Sequence, residues 1–396
     1  MKRGFAIGVS AFLAVVGIVA RAAAEDTVKV AVIFALSGEA AQDNSGSYRG
    51  TVFGLEQANK HGGLLGKQIE ILHIDNKSTK EGSTEAAQKA VDAGVIGILG
   101  ASWSSHSIEL AKVAQAHKTP MITNVSTNPA VTQVGDYIFR ACFTDDYQGT
   151  VAAQFALDEL KARTAVILRD RDEAYSTGLA LAFTQYFTSH GGKVLEDAGY
   201  TIDEKKDFAG LLSDVKKLAP DVLFLPGHHE TAKIMTQAQD IGIESAFLGG
   251  DGWVTPGFDE MGGAHIKRAF FTTHWYKESE RPESRQFVKA FGDNEYLIAP
   301  GALGFDAASL FVDAVRRAGS FDRAKIRDSI AATKGFRGVT GDITIGPSRD
   351  PMGKAAVIML VSEGGKVTFY KQMTTGQSVA GVAPTGSRPA VAAVAP

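Results

Sequence analysis

The sequence predicts an α/β protein built as two Rossmann-like lobes with parallel central sheets. Three observations carry this. Short, near-continuous apolar runs recur along the chain, amphipathic segments separate them, and the whole series starts again after Asp145. Apolar runs without polar alternation suit strands covered on both faces. Alternation of strand and helix implies right-handed crossovers in a doubly wound sheet. The length agrees, because 396 residues exceed one compact core and suit two lobes.

Residues 28–34 (VKVAVIF) read as the first buried strand. A helix over 48–60 follows, with Tyr48, Val52, Leu55 and Ala58 on one face at helical spacing. It stops at His61-Gly62-Gly63, where glycine can take the left-handed cap. Strands are expected over 69–74, 95–99 and 121–123, with a helix over 82–93 closed by Gly94 and another opening near Ser107. In the second series, strands are expected over 165–168, 193–195, 222–225, 246–248 and 269–271. Helices over 177–189, 208–218 and 231–241 separate them, the second halted before Pro220. Further helical patterns cover 282–291, 300–318 and 323–333. Residues 356–361 and 366–370 read as a terminal hairpin across Glu363-Gly364-Gly365. Residues 374–396 lack charge apart from Arg388 and lack aromatics, which predicts a disordered tail.

Residues 1–24 read as a signal peptide. Lys2 and Arg3 form a positive start, an apolar stretch follows, and Ala22-Ala23-Ala24 supplies the small residues for cleavage before Glu25. Without Lys2, Arg3 and Arg21 the basic count falls from 41 to 38 against 44 acids, a net charge near −6. No basic run is present, which argues against nucleic acid as a partner. The single cysteine, Cys142, lies well inside the mature chain and is expected to be a buried apolar filler. The protein is therefore expected to be exported and free of a lipid anchor.

Motifs for catalysis are not evident. There is no Gly-x-Ser-x-Gly elbow, phosphate loop or dinucleotide fingerprint after the first strand. His228-His229-Glu230 is the one tight group of metal-ligand types, but adjacent residues chelate a single ion poorly. Neither an enzyme nor a cofactor or metal site is predicted. The loops after the strands carry more. Residues 100–106 (GASWSSH) and 124–129 (NVSTNP) place small hydroxyl residues where doubly wound sheets bind ligands. Hydroxyls and free amides at a helix start suit an anion such as a carboxylate, although the same residues also serve as plain N-caps. Residues 170–176 (DRDEAYS) and 249–253 (GGDGW) hold equivalent places in the second half. There Asp251 could present a carboxylate to an ammonium group or simply form a turn, and Tyr175 could cover a ligand or open a helix.

At these residues the chain resembles the type I periplasmic binding proteins of branched-chain amino acid ABC transporters, the Leu/Ile/Val-binding group. The resemblance rests on 30–38, 59–66 (NKHGGLLG), 100–105, 126–129 (STNP), 175–178 (YSTG), 206–208 (KDF), 250–252 (GDG) and 305–308 (FDAA), in that order over nearly the whole mature chain. It implies two lobes joined by three crossovers near 140–145, 272–275 and 345–348. Lobe one would span 25–142 and 276–345, and lobe two 143–273 and 348–373.

The resemblance also implies a ligand site in the cleft. Ser104, with Ser105 beside it, would meet the ligand carboxylate. Ser126 and Thr127 would complete the amino and carboxylate site, Tyr175 would cover the ligand, and Asp251 would pair with its ammonium. Three positions depart from the family pattern. Trp103 replaces a disulfide cysteine, His228 a pocket tyrosine, and Asp43 a tryptophan. The amino and carboxylate machinery is kept while the side-chain pocket changes. The expected function is a periplasmic, monomeric solute-binding protein that delivers an amino acid to a membrane permease. The alternatives are a sensor for a signalling receptor, or a binder of a small amide or aromatic acid.

Overall fold

The computed structural model describes residues 27–202, 207–253, 255–256, 265–292, 294 and 297–374. The expected signal peptide, and the expected tail beyond Thr374, lie outside them. The first sheet holds β1 (Thr27–Phe34), β2 (Gln68–Asp75), β3 (Ile98–Gly100), β4 (Met121–Thr123) and β5 (Ile138–Arg140). Its order is β2-β1-β3-β4-β5, parallel throughout. Helices α1 (Ala41–Lys60), α2 (Lys80–Asp92), α3 (Ser104–Ala116) and the short α4 (Ala130–Gln133) connect these strands.

The second sheet is built from β6 (Thr164–Asp170), β7 (Lys193–Tyr200), β8 (Val222–Leu225), β9 (Ala246–Gly249) and β10 (Arg268–Thr273). Helices α5 (Asp145–Asp158), α6 (Ala174–Ser189), α7 (Ala209–Leu218) and α8 (Glu230–Asp240) alternate with them. The order β7-β6-β8-β9-β10 repeats the topology of the first sheet, again parallel. The chain then returns to the first lobe with α9 (Pro282–Phe291), α10 (Ala299–Ala318) and α11 (Arg323–Ala331), followed by the small ribbon β11 (Phe336–Gly338) and β12 (Gly341–Ile343). It ends as the hairpin β13 (Ala356–Ser362) and β14 (Lys366–Met373), added antiparallel to the edge of β10. The second sheet is therefore mixed rather than purely parallel. A hairpin that follows a return from the other lobe has no crossover helix to make it parallel.

Burial explains where sequence and structure part. α10 packs Leu303, Ala307, Leu310 and Phe311 into one core with Val30, Val32 and Phe34, which ties the C-terminal helices to the first sheet. α1 and α10 touch backbone to backbone. A Cβ on Gly50 would stand 1.9 Å from the Gly301 carbonyl oxygen, so no side chain fits there. Three helices begin earlier than their apolar spacing predicts, α1 at Ala41, α3 at Ser104 and α6 at Ala174. Their polar first turns face the cleft, so the apolar stripe appears only where each helix reaches the core. Helix α5 escapes periodicity altogether. Val151, Ala152 and Ala153 are buried, and after the half-buried Gln154 so are Phe155, Ala156 and Leu157, which leaves no stripe to read. Cys142 is buried in the first core, and burial pushes its thiol up to about 12. Three times the chain passes between the sheets, after Arg140, after Thr273 and between Ile343 and Ala356.

Candidate functional site

The loops at the carboxyl ends of both sheets face each other around a pocket of about 380 Å³ of empty space, part of it open to solvent. Trp103, Ser104, Tyr175, His228 and Asp251 line it together with Asp43.

On the first lobe, β3 ends at Gly100, whose φ of +130° and contact with the Ile33 carbonyl oxygen exclude a side chain. That turn delivers residues 101–103 to the cleft and starts α3 at Ser104. The Ser104 hydroxyl accepts the Asn128 N–H at 3.3 Å and keeps its own O–H to donate. Trp103 stacks on His228 from the other lobe, ring centroids 4.3 Å apart and 6° from parallel. Among the described residues, the Trp103 Nε1–H, the Ser102 hydroxyl and His228 Nε2 have no hydrogen-bond partner.

On the second lobe, the Nε2–H of His274 donates to Asp251 Oδ2 at 2.8 Å, while Asp251 Oδ1 has no hydrogen-bond partner among the described residues. Burial outweighs the pull of Asp251 and holds His274 below its usual range, which favours the neutral imidazole. The Tyr175 hydroxyl accepts the Gly252 N–H at 3.1 Å, and burial with the Asp251 charge beside it pushes the phenol well above its usual value. Close by, both oxygens of Asp145 are buried outside hydrogen-bonding geometry. Burial, opposed by the nearby Thr127 hydroxyl and reinforced by Asp251, pushes the Asp145 carboxyl well above its usual range.

Several bonds join the lobes around the pocket. Glu173 accepts the Ser105 N–H at 3.1 Å and the Ser105 hydroxyl, and accepts the Tyr175 N–H at 3.4 Å. One carboxylate thus serves the starts of α3 and α6, one from each lobe, where helix dipoles favour negative charge. Asn128 donates to the Ala174 carbonyl at 2.7 Å. Asp43, on α1, accepts from the Thr255 hydroxyl and pairs with His229 Nδ1 at 2.8 Å. Burial lowers the His229 pKa, but the hydrogen bond and charge of Asp43, with Glu230 and Glu39, outweigh it and lift it to about 9. The cleft is closed in this structure.

Of the residues singled out from sequence, Trp103, Ser104, Tyr175, His228 and Asp251 converge on this pocket. Three have other places. Ser105 spends its hydroxyl on Glu173. Ser126 is turned into the loop, where its hydroxyl bonds the Ser102 carbonyl at 2.6 Å and the Ser107 hydroxyl at 2.7 Å. Thr127 is fully buried beside Asp145 rather than lining the pocket. The three neighbours 228–230 diverge. His228 stacks on Trp103, His229 pairs with Asp43, and Glu230 accepts the His228 N–H and the Tyr200 hydroxyl. Sequence reasoning missed Glu173, Asp145 and His274. For Asp145, the signal available was an acidic pair directly at a crossover.

Comparison with known proteins agrees with this fold. A family model described as periplasmic binding protein matches residues 27–366. A leucine-binding protein from Thermotoga maritima superposes with a TM-score of 0.83 at 34% identity, covering 88% of this chain and 99% of its own. A branched-chain amino acid transporter substrate-binding protein from Streptococcus pneumoniae, in complex with isoleucine, gives 0.79 at 26% identity, covering 86% of this chain and 97% of its own. A curated relative from Pseudomonas aeruginosa, a leucine-, isoleucine-, valine-, threonine- and alanine-binding protein, is 26% identical, covering 84% of this chain and 89% of its own length.

Proposed function

The chain belongs to the periplasmic binding protein family, and on that premise we propose that it captures an α-amino acid in the cleft and delivers it to the permease of an ABC transporter. One observation carries the reading. The unpartnered Oδ1 of Asp251 and the free O–H of Ser104 at the start of α3 line the same closed pocket from opposite lobes. That is a negative pole facing a positive one, the complement of a zwitterion. In this reading the protein is a periplasmic monomer that binds and releases without turnover. Its lobes span 25–142 with 276–345, and 143–273 with 348–373, and part by hinge motion to admit the ligand.

Calorimetric titration of refolded, ligand-free protein tests it. α-Amino acids are expected to bind, and the matching carboxylic acids without the amino group to bind at least ~100-fold more weakly, the scale of a lost buried charge pair. Heat from no α-amino acid at all defeats the reading.

Closure should also take up a proton. Asp43 and His229 stand on different lobes, so their pairing belongs to the closed state. The folded pKa of His229 is raised, from 6.5 to about 9. The stabilisation is therefore full below the lower value and lost as pH rises through the higher one. At pH 8, binding should take up roughly one proton, measured from heats in buffers of different ionisation enthalpy. The His229→Gln variant should take up none. Equal uptake by both proteins removes this pair from the closing step.

A further inference from the structure

Asp251 and Ser104 answer the two charged poles of an amino acid, but they say nothing about its side chain. The rest of the lining does. Besides Val125, Pro300, Tyr175 and Gly252, it holds Ser102, Trp103, His228, Asp43 and Thr255. Ser102, Trp103 and His228 are each more than nine-tenths buried, at 7%, 8% and 7% exposure. Among the described residues, the Ser102 hydroxyl, the Trp103 Nε1–H and His228 Nε2 all lack a hydrogen-bond partner. Asp43, 5% exposed, accepts from Thr255 and His229 and keeps spare lone pairs.

We infer that the pocket selects α-amino acids whose side chains are uncharged and hydrogen-bonding, a hydroxyl or a carboxamide, over aliphatic ones. The inference rests on the amino-acid reading of the site and deepens it. An aliphatic side chain seated here would offer no partner to the indole N–H, the imidazole nitrogen or the hydroxyl and would leave all three unpaired. Each such buried group weakens binding by about tenfold or more. A hydroxyl or carboxamide supplies the missing partners, and the lining holds what both need. Trp103 only donates, Asp43 only accepts, and Ser102 and His228 can do either. Charged side chains fit less well. A carboxylate would meet Asp43, and an ammonium or guanidinium would meet the His229 imidazolium paired with it. The flat contact between Trp103 and His228, at 4.3 Å, leaves no gap for a ring to slide between them.

The test is titration of ligand-free protein with serine, threonine, asparagine and glutamine against leucine, isoleucine and valine. The tightest of the first group is expected to bind at least ~tenfold more strongly than the tightest of the second. In His228→Phe and Ser102→Ala, which each remove one unpaired group, that gap should narrow while α-amino acids still bind. Equal or tighter binding of leucine, isoleucine or valine by the unmodified protein overturns the inference and leaves the amino-acid reading standing. A charged amino acid binding tightest does the same. An aromatic acid or simple amide binding while every α-amino acid fails overturns both.

Discussion

Replacement of Asp251 by asparagine is expected to weaken α-amino acid binding by at least ~100-fold while leaving the fold intact. The carboxylate is 6% exposed, so its charge is barely screened by water. One oxygen is fixed by His274 at 2.8 Å, and the other is unpartnered in the pocket. Asparagine can still accept the His274 N–H through its carbonyl. Its second atom then becomes an amide NH₂, which turns N–H groups toward the ligand ammonium where an acceptor stood. The change replaces a charge-assisted bond with donor facing donor, and the loss appears mainly as faster release. Titration with the preferred amino acid reads the affinity, and a denaturation midpoint unchanged by the substitution shows that the pocket alone was altered. Affinity within threefold of the unmodified protein would remove Asp251 from the ligand's ammonium.

Much of this arrangement is written locally and some of it is not. Buried parallel strands announce themselves as uninterrupted apolar runs, so β1 and β8 are legible residue by residue. The start of α3 is not, because Ser104 to Ser107 spell a polar loop as readily as a helix turned into a cleft. The hydroxyl-rich loops mark the ligand end of the sheet but cannot say which hydroxyl is free. Ser104 keeps its proton for a ligand, whereas Ser126, in an equally suggestive loop, is consumed by carbonyls of 101 and 102. The bonds that close the cleft are wholly tertiary. Ser105 and Glu173 are 68 residues apart, and Asp43 and His229 are 186 apart. No local pattern encodes such pairs. Asp43 reads from sequence as a loop residue ahead of the expected helix, and its burial at 5% becomes visible when the second lobe covers it.

Arg140 predicts the largest loss of stability. Its side chain is fully buried at the end of β5, where the chain first leaves the first sheet. Nε pairs with Asp350 at 2.5 Å, in the segment of the last crossing. Nη1 donates to the Ser126 carbonyl, and Nη2 to the Asn128 carbonyl at 2.8 Å and the Thr132 hydroxyl at 3.1 Å. One planar guanidinium therefore holds two of the three crossings together and shapes the loop that carries Thr127. Arg140→Met keeps the volume but strands a carboxylate and two carbonyls, so a loss of about 3 kcal/mol is expected, the lower end for a broken buried pair because Asp350 is 15% exposed and can rehydrate. Arg140→Lys should recover little of it, since an ammonium cannot reach four acceptors set around a plane. Urea denaturation measures the loss, and a change under 1 kcal/mol in the methionine variant would show that the crossings do not depend on this residue. Ligand affinity should fall with stability in both variants, because the Ser126 and Asn128 carbonyls that Arg140 holds flank Thr127, and Asn128 itself contacts both Ser104 and the second lobe. If stability falls while affinity holds, the loop keeps its shape without the guanidinium, and Arg140 serves the crossings alone.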